Sequence, residues 1–142
     1  MTKERLKRYL DLEKEVRNQK ERIAEMKSQE LFPTRPESSG SQHQPGAGDG
    51  MERAIIRRME IEDRMQANLD EMEAIQRAID ALNDPQEREV LRLRYIDGDE
   101  FGGLMRWRDV TLKLYRRYTE AKKQATMRIH RIAIKHLEEQ ED

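Results

Sequence analysis

Two long stretches of this chain contain neither glycine nor proline, and both repeat their apolar residues at helical spacing. From Thr2 to Glu30 the chain is rich in Lys, Glu, Arg and Leu, all good helix formers. Tyr9, Leu12, Val16, Gln19, Ile23 and Met26 stand alternately three and four residues apart, a heptad seam with Gln19 as its one polar member. Leu6 and Leu10 widen the seam at its start. The pattern returns from Met51 to Leu82, carried by Ile55, Met59, Met65, Leu69, Met72, Ile75, Ile79 and Leu82. Between the two lies LFPTRPESSGSQHQPGAGDG, residues 31–50, with three prolines and four glycines. That composition predicts a flexible linker rather than a packed element. Two helices joined in this way bury their stripes either as an antiparallel hairpin or as a parallel dimeric coiled coil, and the sequence is compatible with both. Met59, Met65 and Met72 are expected to pack in the seam rather than to form an adaptable partner-binding surface.

Composition sets the outer limits. Only 35% of the 142 residues are hydrophobic and 40% are charged, with a mean hydropathy of -1.08. Such a chain suits solvent-laced helices better than a large globular core. The length fits one small domain, or a compact domain with an extended arm. Cysteine is absent, which removes disulfides, zinc–thiolate sites and thiol nucleophiles. No apolar run reaches the roughly 18 residues of a membrane span, and MTKERLKRYLDLEKEV at the start has no apolar core of a signal peptide. A cytoplasmic protein without membrane contact is expected.

Catalysis finds no footing. His43, His130 and His136 are scattered, and the last two stand six apart, whereas helical metal pairs want three or four. GAGDG has no strand before it to make a phosphate loop, and DGDE lacks the remaining ligands of a calcium loop. The sequence therefore predicts no enzyme, no metal and no cofactor.

The charge is unevenly distributed. Between Arg106 and Lys135 there are ten basic residues and two acidic ones, a local net of +8, which leaves -9 for the rest of the chain. This asymmetry points to an anionic partner for the C-terminal end.

Residues 83–138 carry their own punctuation. Asp84-Pro85 reads as an N-cap followed by proline at the first helical position, and Glu87 adds a carboxylate where the helix dipole favours it. Val90, Leu91 and Leu93 to Ile96 supply an apolar side before Asp97-Gly98 stops the helix. A second helix is predicted to open near Phe101 to Leu104 and to run through Trp107, Val110, Leu112 and Leu114. A third starts close to Thr119, a good N-cap, with Ala121, Ala125, Ile129, Ile132, Ala133 and Leu137 as its stripe. Trp107 is expected in the core.

DPQEREVLRLRYIDG, followed by Trp107-Arg108-Asp109-Val110, resembles region 4 of the sigma-70 family: a helix ending in Leu-x-Leu-Arg-Tyr-x-x-Gly, then an aromatic opening the next helix. MRIHRIAIKHL, Met127 to Leu137, is similar to the close of that family's recognition helix. With its helical arm, the whole chain is similar to small sigma-70-like proteins of phages and prophages and to relatives of the RinA and ArpU late-gene regulators. The resemblance covers about 55 residues; region 2 of full sigma factors has no counterpart in the sequence, so a complete sigma factor is not expected. It implies an all-α fold, with an N-terminal helical hairpin or coiled coil followed by a helix-turn-helix. It implies a sequence-specific transcriptional regulator in the cytoplasm of a bacterial host, with late-gene activation as its role. Its partners would be double-stranded DNA and RNA polymerase, with homodimerisation through the coiled coil. The family carries glycine in the turn and a small residue opening the recognition helix. Here LYRRYTEAKKQATM is glycine-free and longer, so either the turn is extended or the two helices run closer to continuous.

On a wheel of 100° per residue, the side of the third helix opposite the expected stripe carries Glu120, Lys123, Met127, His130 and Arg131, flanked by Gln124 and Thr119. Gln124 suits adenine edges, and Lys123 or Arg131 suits guanine. Arg116 and Arg117 precede the helix, where phosphate contacts sit. Lys122 and Arg128 are expected at the stripe's edges. Two other readings use the same features: a phage small terminase subunit binding packaging-site DNA, and an adaptor coiled coil whose basic end meets an acidic protein.

Overall fold

A computed structural model describes residues 1–31 and 47–140, with side chains for 1–31 and 50–140. All the regular structure among them is helical: α1 (Lys3–Leu31), α2 (Ala47–Asp80), α3 (Pro85–Leu91), α4 (Trp107–Tyr115) and α5 (Glu120–Gln140), with a π-helical segment, Arg92–Asp97, continuing α3. The segment expected as a linker lies outside the described residues from 32 to 46. Its last four residues, expected as linker, open α2 instead, which starts at Ala47 rather than at Met51.

The chain divides into two compact units, one of Met1–Lys14 with Asp70–Asp142, the other of Glu15–Leu69. In the second unit Val16 and Ile23 are buried, as the heptad spacing predicts. Polar pairs line the seam: Asn68 donates to Gln19 at 3.2 Å, Lys27 meets Glu62 at 3.8 Å, and Arg58 meets Glu30 at 2.8 Å. The partners descend along α2 as they ascend along α1. Met59 departs from its expected place in the seam, being 53% exposed; the half-buried Arg58 and Ile61 occupy that side of α2. Arg58 fits there because its guanidinium binds two carboxylates, Glu30 and Glu62, which lowers the cost of holding a charge near the seam.

The first unit holds the main core. Met1, Leu6, Tyr9 and Leu10 from the start of the chain meet Ile75, Ile79 and Leu82, Leu91 and Tyr95, and Ala133 and Leu137 of α5. A smaller cluster joins Val90, Leu93, Met105 and Val110, with Trp107, Leu114 and Ile129 packed against it. Asp84 caps α3, its carboxylate accepting the Gln86 N–H at 2.8 Å, with Pro85 at the first helical position. The stop falls at Gly98, whose N–H reaches five residues back to the Leu93 carbonyl at 3.1 Å. Its φ of +66° is left-handed, and a Cβ there would lie 2.5 Å from the Gly103 carbonyl oxygen. Only glycine fits this position.

α4 opens at Trp107, later than the expected start near Phe101. Asp99 holds the intervening loop out of helix by accepting the N–H groups of Phe101 at 2.9 Å and Gly103 at 2.7 Å. An Asx-type bond of this kind competes with helical pairing. It also holds the Asp99 carboxyl below its ordinary pKa, with Gly103 the larger cause. Phe101 is left 82% exposed.

Candidate nucleic-acid interface

α4 and α5 are joined by four residues, Arg116–Thr119, and neither extends into the other. The connection reverses at Arg116, which takes the left-handed φ of 62° and donates its N–H to the Leu112 carbonyl at 2.7 Å. A non-glycine residue there carries a steric cost of roughly 1–2 kcal/mol. The backbone adopts the glycine-like geometry without the glycine. Thr119 then caps α5, its Oγ1 accepting the Lys122 N–H at 3.0 Å, the arrangement that satisfies an orphan donor of the first turn.

The buried stripe of α5 is Thr126, His130, Ala133 and Leu137, rotated by roughly a quarter-turn from the one the apolar residues predict. Ile132 is 44% exposed, and Ala121 also faces solvent. Two polar residues take their place because their polar atoms are satisfied inside. The Thr126 hydroxyl donates to the Lys122 carbonyl at 2.9 Å and accepts from Thr111 at 3.3 Å. The His130 Nε2 shares a 2.6 Å hydrogen bond with the Tyr95 hydroxyl, and the Trp107 ring meets its edge at a centroid distance of 4.8 Å. Burial, and then the nearby charges of Lys3 and Arg94, lower the His130 pKa to about 4, so the imidazole is neutral at pH 7. His130 therefore belongs to the core and not to the reading side on which the wheel put it.

The same rotation re-sorts the other candidates. Gln124, Arg128 and Arg131 are exposed on one face of α5, with Lys135 a turn further on. Arg128 stands near the centre of that face rather than at an edge. Lys123 and Met127 are half-buried toward the core side. Lys122 is also half-buried, its Nζ 4.9 Å from the centroid of the Tyr115 ring. Arg116, Arg117 and Thr119 are exposed in the turn. Arg108 of α4 lies over the Tyr118 ring at 5.4 Å, which adds a cation near the turn that the sequence alone did not single out. Glu120 is the acid of this region, held by Tyr118 at 3.1 Å and Gln124 at 3.4 Å. Trp107 packs against the core, with the Arg94 guanidinium 4.4 Å from its ring centroid.

Chemically, the face offers amide and guanidinium donors at successive helical turns, with cations at the turn that precedes them. That suits polyanionic backbones and the edges of bases. Among the described residues no group of three or more His, Asp or Glu could hold a metal ion, and no helix is long and apolar enough to cross a membrane. No protein-family profile, curated protein or solved structure matches the chain.

Proposed function

We propose that the chain is a sequence-specific DNA-binding protein, a transcriptional regulator in which α4, the Arg116–Thr119 turn and α5 act as a helix-turn-helix. The observation that carries this reading is the exposed face of α5, where Gln124, Arg128, Arg131 and Lys135 recur at helical spacing just after Arg116 and Arg117. All five of those turn and helix cations, Arg116, Arg117, Arg128, Arg131 and Lys135, lack a carboxylate ion-pair partner among the described residues. In this reading α5 enters a major groove. Gln124 addresses adenine, Arg128 and Arg131 address guanine, and Arg116 and Arg117 bind flanking phosphates. The arm is proposed to be an antiparallel hairpin of α1 and α2 within one chain, a reading supported by the opposed order of the Gln19–Asn68, Lys27–Glu62 and Glu30–Arg58 pairs. Late-gene regulation in a phage or prophage is the role proposed from the resemblance to sigma region 4.

The test is selection of bound sites from a random duplex pool, followed by mobility shifts on the recovered sequence. A recovered consensus whose affinity drops at least tenfold when Gln124, Arg128 and Arg131 are together replaced by alanine supports the reading. Equal binding by the triple variant sinks it.

A further inference from the structure

A cleft of about 420 Å³ opens between the start of α1, the π-helical segment and α5. It is lined by Lys3, Arg94, Arg131, Gln124, Trp107 and His130, with Tyr95 and Met127, and none of these is acidic. Three cations therefore converge on one concavity without a carboxylate among them. Arg94 is the most constrained. Its Nη1 donates to the Met105 carbonyl at 2.5 Å, its guanidinium lies over the Trp107 ring, and its Nε is buried without an acceptor. A carbonyl and a ring face orient a guanidinium but leave its charge uncancelled. The neighbouring imidazole responds to the same field, since Lys3 and Arg94 both contribute to keeping His130 deprotonated.

We propose that this cleft binds one phosphate group, held by Lys3 and Arg94 beside the base-reading side chains of Gln124 and Arg131. The choice of source rests on the DNA-binding reading: the phosphate belongs to the DNA backbone, beside the face that Gln124 and Arg131 share with the cleft. The alternative source of the same chemistry is a free phosphorylated small molecule. Lys3 lies more than a hundred residues from α5 in sequence and no motif marks it. Its assignment comes from the fold alone.

Trp107 is the chain's single tryptophan and lines the cleft, so its emission reports occupancy. The full chain is titrated with inorganic phosphate and with a phosphodiester-linked dinucleotide, with sodium chloride matched in ionic strength throughout. Saturable change in Trp107 emission with either probe, weakened about tenfold or more in Lys3→Gln and restored in Lys3→Arg, supports the site. Saturation by the dinucleotide, together with a Lys3→Gln salt slope for DNA binding shallower by about one, assigns the phosphate to DNA. Saturation by inorganic phosphate with an unchanged slope assigns it to a free ligand, which overturns the DNA assignment while keeping the site. A response no different from chloride, or one equal in Lys3→Gln whose circular dichroism is unchanged, overturns the proposal, and it does so even if the chain binds DNA. Saturation in a chain that shifts no duplex sinks the DNA reading instead.

Discussion

Burial between Tyr95 and Trp107 gives His130 a pKa of about 4 against an ordinary 6.5, and this has a consequence for pH. The unfolded chain takes up this proton near pH 6.5, whereas the folded chain resists until about 4. Its contribution to stability is complete above pH 6.5 and is lost as the pH falls from there to about 4. His136 has the opposite sign. Its Nδ1 lies 2.6 Å from the buried Glu87 carboxylate, and that hydrogen bond and charge raise its pKa. Its contribution is complete below pH 6.5 and is lost as the pH rises through the raised value. Titration of the ring protons by NMR should separate them, with His130 shifting near pH 4 and His136 above 6.5; a His130 midpoint above 6 would contradict its burial. Replacing Tyr95 by phenylalanine leaves the buried Nε2 of His130 without its partner and should cost about 1–3 kcal/mol in a denaturant titration. At this scale the sequence misleads for a definite reason. Periodicity counts Thr126 and His130 as polar, because their partners Thr111 and Tyr95 lie 15 and 35 residues away, and a local pattern does not contain them.

At the scale of elements, the start of α3, the end of the π-helical segment that continues it and the start of α5 are legible because each is written in one or two residues: Asp84-Pro85, Gly98 and Thr119. The opening of α4 is not, since Asp99 commits its carboxylate to the loop that delays it. The turn before α5 lacked the glycine that would have announced it, and Arg116 takes the left-handed conformation instead. This makes an unusual prediction for one substitution. Arg116→Gly should raise stability by up to about 1 kcal/mol by relieving the backbone, while weakening DNA binding through loss of a phosphate contact. A thermal melt and a binding titration on the same preparation decide it, and a variant that loses both stability and affinity would refute the strain. Gly98→Ala should go the other way. Its Cβ meets the Gly103 carbonyl at 2.5 Å on a φ of +66°, and a loss of about 2 kcal/mol or more is expected from strain and displacement. Unchanged denaturant midpoints would mean that the loop yields.

At the scale of the whole molecule, charge was the most informative feature of the sequence. Its concentration between Arg106 and Lys135 located the candidate face, even though the rotation of α5 had to come from the fold. Burial is graded as well. Ile75, Ile79, Val90 and Leu91 are at most 1% exposed, whereas Met51, Ile56 and Met59 stand near half-exposed. Amide exchange should therefore be slowest around 75–91 and markedly faster at 51–59, and uniform protection would argue for a covering partner on that part of α2. The proposed DNA contact is made by the basic face of α5 and the Arg116–Thr119 turn, in part through backbone phosphates. The most direct measurement is the affinity for the selected duplex across a salt series. Log K should fall linearly with log salt, with a slope of about -0.9 for each phosphate neutralised, and Arg117→Ala should make it shallower by about one. Affinity that is independent of salt, or no binding to any duplex at low salt, would contradict the proposed contact.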